Sequence, residues 1–465
     1  MRAVTLSCLS FLGLVLATGA PAGAQTLPQS ASTMAESPAV KKAIDLFSRV
    51  PGARDAAIAH FKRQGDKRTI PILIQAARFS RRTAAKIFDA LEAIAGENPG
   101  RTWHAWMLWQ QAHPEIKPPP DFIRFKAALY ATIDPNFKRF LRPGLAHTIR
   151  IEEITWGGVI KDGIPALTNP KLIAAAKANY ITPGELVFGV EINGDARAYP
   201  LRILDWHEMF NDVIGGVPVS LAYCTLCGSG ILFDTLVAGR AAPFVFGSSG
   251  FLYRSNKLMY DQATHSLWNQ FTGKPVVGQL VGSGIELKTR PVVITSWQNW
   301  LRDHPDTKVL SLRTGHRRDY SIGKAYSAYF SSPDLMFPAL VDESQHKAKS
   351  YVFALRSSGH AKAWPLDYFE KAPVINDTAG ALRLTLIGNV ATRTVRAYRT
   401  TGQRFAMGRK PGTLDADGEA WQITEAALVG PNGMQLTRLP GHIAYWFAWS
   451  GYLGARGEVA KRPKN

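Results

Sequence analysis

The sequence predicts an α+β protein in which a short N-terminal helical module precedes a β-rich region made of two degenerate tandem copies. Two observations support this fold class. Near residue 150 the spacing of apolar residues changes from three and four to two, which marks a change from helices to strands. In addition, residues 352–389 repeat the pattern of residues 187–224 without a gap, which indicates an internal duplication.

The N-terminal segment has the features of a secretory signal peptide. Arg2 precedes an apolar run from Ala3 to Ala17, and small residues follow at 22–24. No later stretch approaches the roughly 18 apolar residues that a membrane span needs. We therefore predict a signal peptide over residues 1–24, a flexible leader over 25–37, and a periplasmic or secreted protein.

The composition limits the possible partners. The chain has 465 residues, of which 46% are hydrophobic, and a formal net charge of +19 that falls to about +18 without Arg2. Lys and Arg are dispersed rather than clustered, so the charge is typical of a solvated surface. We expect no nucleic-acid partner. A weak association with an anionic membrane surface and a periplasmic or membrane-bound protein partner are compatible with this charge.

The helical module is predicted over residues 38–149. Its apolar residues recur at three and four positions, and Gly65 and Gly96 stand where helix C-termini favour a residue with positive φ. Short helices joined by short connections resemble HEAT-type helical pairs. A stripe of Trp103, Trp106 and Trp109 predicts a core face that packs against the next domain.

The first β-rich copy is predicted over residues 150–345 and the second over 346–465. Asn193-Gly194 between two alternating stretches predicts a β-hairpin. A further strand, "GGVPVSLAY", leads directly into Cys224.

Comparison of the two copies separates structural from functional candidates. Over the 38 aligned positions 11 residues are identical, among them the Asn-Asp-x-x-Gly stretch at 211–215, for which we predict a turn. Polar residues present only in the first copy are instead candidates for chemistry, and they place the site there. These are Trp206, His207, Glu208, Cys224 and Cys227. In the sequence alignment they correspond to Lys371, Ala372, Pro373, Asn389 and Thr392 of the second copy.

A soft metal site is the first hypothesis for these residues. A strand end followed by C-x-x-C and Gly228 is typical of half a zinc knuckle, so further ligands are needed from elsewhere. Addition of His207 and Met259 to Cys224 and Cys227 gives a donor set that suits copper before zinc. Glu208 is then expected to orient the histidine, with Trp206 and Asp261 nearby. His265 and His316 are further possible ligands.

Two other roles of the cysteine pair remain open. The pair can act as a redox dithiol, with His207 adjusting the thiolate charge, although no helix is predicted to begin there as in thioredoxins. It can also form a structural disulfide in an oxidising compartment. In that case the protein is a binding scaffold, whose helical module and basic surface engage a partner.

Several long motifs resemble a bacterial family known as domain of unknown function 3179. The resemblance covers roughly residues 150–465, and the family often carries Pro where Thr225 stands here. It implies that Trp206-His207-Glu208, the cysteine pair and Met259-Tyr260-Asp261 belong to recurring motifs. The matching stretches are "DGIPALTNPK", "VEINGDARAYPLRILDWHEMFND", "AYCTLCGSGILFD", "FGSSGFLYRSNKLMYDQATHSLWNQFTG" and "RTGHRRDY".

Overall fold

The computed structural model describes residues 36–357, 359–453 and 457–463. The predicted signal peptide and all but the end of the leader lie outside these residues. From Glu36 onward the chain forms one compact unit. Within the described part of the chain, no helix combines the length and the apolar character needed to cross a bilayer.

Six α-helices form the N-terminal part, as the apolar spacing predicts. Helices α2 and α4 end at Gly65 and Gly96, which adopt φ values of 63° and 78° and confirm the predicted helix ends. The six helices are α1 (Pro38–Ala43), α2 (Ala53–Gln64), α3 (Ile70–Phe79), α4 (Ala84–Ala95), α5 (Trp103–Ala112) and α6 (Phe122–Ala131).

Twenty-seven strands follow in the described residues. The first fifteen are β1 (Ile154–Trp156), β2 (Leu167–Thr168), β3 (Leu172–Ala174), β4 (Leu186–Ile192), β5 (Asp195–Pro200), β6 (Met209–Ile214), β7 (Val217–Cys224), β8 (Ser229–Asp234), β9 (Phe246–Tyr253), β10 (Asn256–Asp261), β11 (Leu267–Asn269), β12 (Lys274–Val277), β13 (Thr289–Arg290), β14 (Val293–Ser296) and β15 (Lys308–Leu310). The other twelve are β16 (Tyr351–Ser357), β17 (His360–Pro365), β18 (Val374–Ala379), β19 (Leu382–Asn389), β20 (Thr394–Arg399), β21 (Ala406–Met407), β22 (Thr413–Ala416), β23 (Glu419–Ile423), β24 (Ala427–Val429), β25 (Gln435–Leu439), β26 (His442–Tyr445) and β27 (Glu458–Val459). Four short helices lie among them: α7 (Leu201–Leu204), α8 (Trp297–Asp303), α9 (Ser327–Ser331) and α10 (Trp446–Leu453).

The strands form five sheets. Three have five strands, in the orders β1-β9-β10-β11-β12, β13-β8-β7-β6-β2 and β14-β4-β5-β15-β3. The other two are a four-stranded sheet, β26-β16-β17-β27, and an eight-stranded sheet, β18-β19-β20-β25-β24-β23-β22-β21. The chain is therefore an α+β protein, with an N-terminal helical region and a large β-rich part.

The helical region packs on the first of these sheets. One apolar cluster joins residues of α1–α6 to buried residues of β1, β9 and β10, including Phe251 and Tyr260. Trp106 and Trp109 are buried in this cluster and Trp103 packs against it, so the tryptophan stripe is the core face that the sequence predicts.

Two series of strands have matching lengths and positions. Addition of 165 to the bounds of β4–β8 gives the bounds of β16–β20, so that 186–192 becomes 351–357 and 229–234 becomes 394–399. Outer partners also match: β14 and β26 pair antiparallel with β4 and β16, whereas β15 and β27 pair parallel with β5 and β17. The hairpin β4–β5 turns at Asn193-Gly194, where both residues have positive φ, as predicted.

The asparagine of the shared Asn-Asp pair makes equivalent hydrogen bonds in both series. The side chain of Asn211 bonds the backbone of Phe246, and that of Asn376 bonds the backbone of Phe405. The prediction of a turn at 211–215 is wrong at its start, because Asn211 lies within β6 and only the glycines at 215 and 216 form the turn. The Asn side chain is therefore used to tie a segment distant in sequence, which local sequence does not reveal.

Candidate functional site

The two cysteines close the turn between β7 and β8. Cys224 ends β7, the Cys227 N–H donates to the Cys224 carbonyl oxygen, and the Gly228 N–H donates to the Thr225 carbonyl oxygen. Gly228 has a φ of 59°, which glycine adopts without strain. A disulfide joins Cys224 to Cys227. We call residues 224–228 the cysteine turn.

The bridge is buried in apolar surroundings. Cys224 is 2% exposed and Cys227 is fully buried. Both belong to an apolar cluster that also contains Met259 and Trp268. Three of the four predicted metal ligands, Cys224, Cys227 and Met259, therefore lie in one apolar cluster. The two cysteines are joined there as a disulfide.

His207 lies in a different set of contacts. Its ring is buried, with Nδ1 2.8 Å from the Pro165 carbonyl oxygen and Nε2 2.6 Å from the Tyr320 hydroxyl. A carbonyl oxygen only accepts, so Nδ1 carries the proton and Nε2 accepts from Tyr320. Burial lowers the pKa of His207 to about 4, opposed by the bond to Pro165 and aided by His316 and Arg318. The histidine is therefore neutral, and both of its nitrogens are engaged.

Glu208 contacts the cysteine turn rather than the imidazole. Its carboxylate accepts from the Thr225 hydroxyl at 2.7 Å and forms an ion pair with Lys257 at 2.8 Å. The Glu208 carbonyl oxygen also accepts from the Tyr223 N–H. Glu208 thus anchors the turn through Thr225. The orientation of His207, predicted to depend on Glu208, rests on Pro165 and Tyr320.

The remaining predicted residues have structural contacts. Trp206 donates from Nε1 to the Asp319 carbonyl oxygen at 2.8 Å. Asp261 accepts from Thr264 and from Trp268 Nε1 at 2.9 Å, and so closes the turn after β10. His265 Nε2 accepts from Arg139 at 2.9 Å. The ring centroid of His316 lies 5.2 Å from that of His207.

The donor set for a metal is not assembled in this bridged form. Among the residues described, no group of three or more His, Cys, Asp or Glu side chains is arranged to hold a metal ion. A disulfide sulfur also lacks the thiolate charge that copper and zinc require. Metal binding through Cys224, Cys227, His207 and Met259 therefore concerns the reduced pair, and it stays a prediction.

A cavity of about 470 Å³ lies beside the cysteine turn. The Tyr445 N–H donates to the Cys227 carbonyl oxygen at 2.8 Å, and a Cβ added to Gly228 would lie 3.1 Å from the rings of Tyr351 and Tyr445. The turn thus packs directly behind one wall. We call this space the tyrosine cavity. Its lining includes the polar side chains of Asp205, Tyr223, Lys349, Tyr351, Arg393 and Tyr445.

Three polar groups of the tyrosine cavity form one chain of hydrogen bonds. Arg393 Nη1 donates to the Tyr351 hydroxyl at 2.7 Å, and this hydroxyl donates to that of Tyr445 at 3.0 Å. The rings of Tyr351 and Tyr445 stack with centroids 4.6 Å apart. The wall is therefore fixed by both stacking and hydrogen bonding.

Asp205 also lines the tyrosine cavity. Its Oδ1 accepts from the Tyr223 hydroxyl at 3.0 Å. Burial raises the pKa of Asp205 to about 7, against the lowering effects of the Tyr223 bond and the Arg393 charge, and the Glu208 charge adds to the rise. A carboxyl pKa raised into this range is common in functional sites.

Arg393 stands at the position that corresponds to Gly228. Residues 389–393 join β19 to β20 as residues 224–228 join β7 to β8, and the Arg393 N–H donates to the Val390 carbonyl oxygen as the Gly228 N–H does to Thr225. Arg393 also has positive φ, at 51°. We call residues 389–393 the asparagine turn. Both turns therefore contact Tyr351 at the same cavity.

Sequence comparison missed the residues of the tyrosine cavity. A signal for Tyr223 was present, because its counterpart at position 388 is glycine. Arg393 lies in the second series and corresponds to Gly228. A search for polar residues present only in the first series therefore does not select it. Asp205 has a carboxylate counterpart in Glu370, so the comparison gave no reason to select it.

These features define a β-rich protein with a disulfide-closed turn at the wall of a polar cavity. The sequence profile of the family described as protein of unknown function, DUF3179, matches residues 161–455. The chain belongs to this family. No curated protein and no solved structure matches the chain.

Proposed function

We propose that the protein binds a small organic molecule in the tyrosine cavity, and that the Cys224–Cys227 bridge supports the cavity wall. The observation that carries this proposal is the convergence of the cysteine turn and the asparagine turn on Tyr351. A cavity of a few hundred Å³ with aromatic walls and a few convergent polar groups has the usual properties of a ligand site.

The proposal treats the two strand series as copies of one unit. Matching bounds, matching outer strands and the equivalent roles of Asn211 and Asn376 support a duplication. In this interpretation the ancestral turn occurs twice, and the ligand site lies where the two turns meet. Arg393 and the cysteine pair are then the specialised features of the two turns.

A structural role for the bridge follows from the asparagine turn. Asn389 Oδ1 accepts from both the N–H and the hydroxyl of Thr392, so a side-chain link joins the positions that correspond to Cys224 and Cys227. The same turn is thus closed without sulfur. Full burial of Cys227 also opposes thiol exchange, which needs access for the attacking thiolate.

Export and a helical module that supports the β-rich part complete the proposal. A disulfide suits an oxidising compartment such as the periplasm, which agrees with a cleaved signal peptide. The short helices of residues 38–131 form a HEAT-like support for the β-rich part, since they share a core with β1, β9 and β10.

Thermal shift measurements test the site with a panel of benzoate, phenol, benzylamine, inorganic phosphate and glucose. A ligand that binds the native state raises the Tm. Ala325 lines the tyrosine cavity, so Ala325→Trp should block it, whereas Ala328 is exposed in α9 and Ala328→Trp is the matched control. We expect at least one compound to raise the Tm of the wild type and of A328W but not of A325W. A panel without effect at millimolar concentration, or an equal response of A325W, rejects the proposal.

A further inference from the structure

The charges around the tyrosine cavity are unequally compensated. Arg202 forms an ion pair with Glu185 at 2.8 Å, and Lys324 lies 3.7 Å from Asp319. Neither Arg393 nor Lys349 has a carboxylate partner within ion-pair distance among the residues that the structure describes. Arg393 acts on Asp205 through its charge, which lowers the pKa of that carboxyl, but the two groups form no ion pair. The cavity therefore offers two cations, Arg393 and Lys349, that no carboxylate of the described residues pairs directly.

Arg393 is the better placed of these two cations for a ligand. Lys349 already donates to the carbonyl oxygens of Tyr329 and Ser332. Arg393 uses Nη1 for the Tyr351 hydroxyl, and a guanidinium group has five N–H donors in a fixed fork. Its guanidinium carbon lies 4.9 Å from the centre of the Tyr351 ring, so the group is held in place before any ligand arrives. A pre-positioned guanidinium binds a carboxylate with two parallel hydrogen bonds.

The other walls favour a flat apolar body. Tyr351 and Tyr445 present stacked rings, and Leu186, Leu201 and Phe330 also line the space. An aromatic ring gains burial in such surroundings, and it can contact the edges of these rings. Asp205 and Tyr223, which also line the cavity, can bond a polar substituent of the ring.

We propose that the tyrosine cavity binds an aromatic carboxylate, with its carboxylate on Arg393 and its ring beside Tyr351 and Tyr445. This inference rests on the proposed function, because it names the class of ligand for the same site. In this proposal Arg393 selects ligands that carry a negative charge, and the rings of Tyr351 and Tyr445 select ligands that are flat.

Titration calorimetry on the full chain with its disulfide intact tests the inference. The probes are benzoate, phenol, benzylamine and inorganic phosphate. Arg393→Gln removes the charge, Arg393→Lys keeps the charge but not the fork, and Arg399→Gln is the control on the exposed end of β20. We expect benzoate to bind the wild type and R399Q equally, R393Q about tenfold or more weakly, and R393K between them. Phenol should bind all four proteins alike.

Each other outcome has a defined meaning. Equal binding of benzoate to R393Q and to the wild type overturns the inference, as does tighter binding of phosphate than of benzoate. Binding of phenol or benzylamine without benzoate, blocked by A325W, overturns the inference and leaves the proposed function intact. Absence of binding by every probe rejects both. Tyr351→Phe keeps the ring but removes the hydroxyl that holds Arg393 in position. Weaker benzoate binding by this variant therefore supports the inference even where R393Q folds poorly.

Discussion

Asn389 and Thr392 are linked by two hydrogen bonds of 3.1 Å each, at the positions that correspond to Cys224 and Cys227. The two turns thus share a backbone path and differ in the chemistry that closes it. A hydrogen-bonded link depends on neither redox state nor metal. In the asparagine turn, this backbone path is closed without sulfur.

Replacement of both Cys224 and Cys227 by Ala should lower the free energy of unfolding by about 2 kcal/mol, the entropy cost of closing so small a loop. Asn389→Ala should cost about 0.5–1.5 kcal/mol, since it removes hydrogen bonds rather than a covalent link. Urea denaturation at constant pH measures both. A double cysteine variant as stable as the wild type would contradict a structural role of the bridge.

The reduction potential of the bridge should lie below about −300 mV, the range of structural disulfides in exported proteins. Burial of Cys227 and the Tyr445 hydrogen bond to its carbonyl oxygen both favour the closed turn. Equilibration in dithiothreitol buffers, followed by thiol alkylation, gives the value. A potential near those of glutaredoxins or protein disulfide isomerase would instead favour a thiol oxidoreductase.

Gly228→Ala should destabilise the protein and weaken ligand binding together. The added Cβ would lie 3.1 Å from the rings of Tyr351 and Tyr445, and the φ of 59° disfavours alanine. Gly239→Ala is the matched control, because Gly239 has a φ of 79° and open space around it. We expect about 1 kcal/mol of lost stability for G239A from the backbone alone, and at least about 1 kcal/mol more for G228A. Equal losses of stability in G228A and G239A would show that Tyr351 and Tyr445 move to accommodate the added Cβ.

Local signals in the sequence predicted the elements that depend on few residues. Gly65 and Gly96 end helices, and Asn193-Gly194 forms a hairpin turn, because a positive φ is a requirement of single positions. The strand that ends at Cys224 and the glycine at 228 likewise predicted the tight turn between the two cysteines, which the structure confirms.

The tyrosine cavity was not predictable by the same means. Its groups come from positions 205, 223, 351, 393 and 445, which only the packing of separate sheets brings together. The sequence likewise led to the prediction that His207 binds a metal. Pro165 and Tyr320, which engage its two nitrogens, lie 42 and 113 residues away.

Asp205 should make the binding of an aromatic carboxylate dependent on pH. Its pKa of about 7 is set first by burial, and the groups that act on it are Tyr223, Arg393, Glu208 and Tyr326. A bound anion adds negative charge near Asp205 and favours its protonated form, so binding takes up a proton. The affinity for benzoate should therefore fall as the pH rises through 7, with a slope of at most tenfold per pH unit.

Asp205→Asn imitates the protonated carboxyl and should remove this slope. The variant should then bind benzoate more tightly than the wild type at pH 8 and about equally at pH 6. Asp303→Asn, at the end of α8 and outside the lining of the tyrosine cavity, is the charge-matched control and should retain the wild-type slope. Calorimetric titrations at the two pH values measure the effect. An affinity that rises with pH, or an unchanged slope in D205N, would show that the carboxyl of Asp205 does not face the bound ligand.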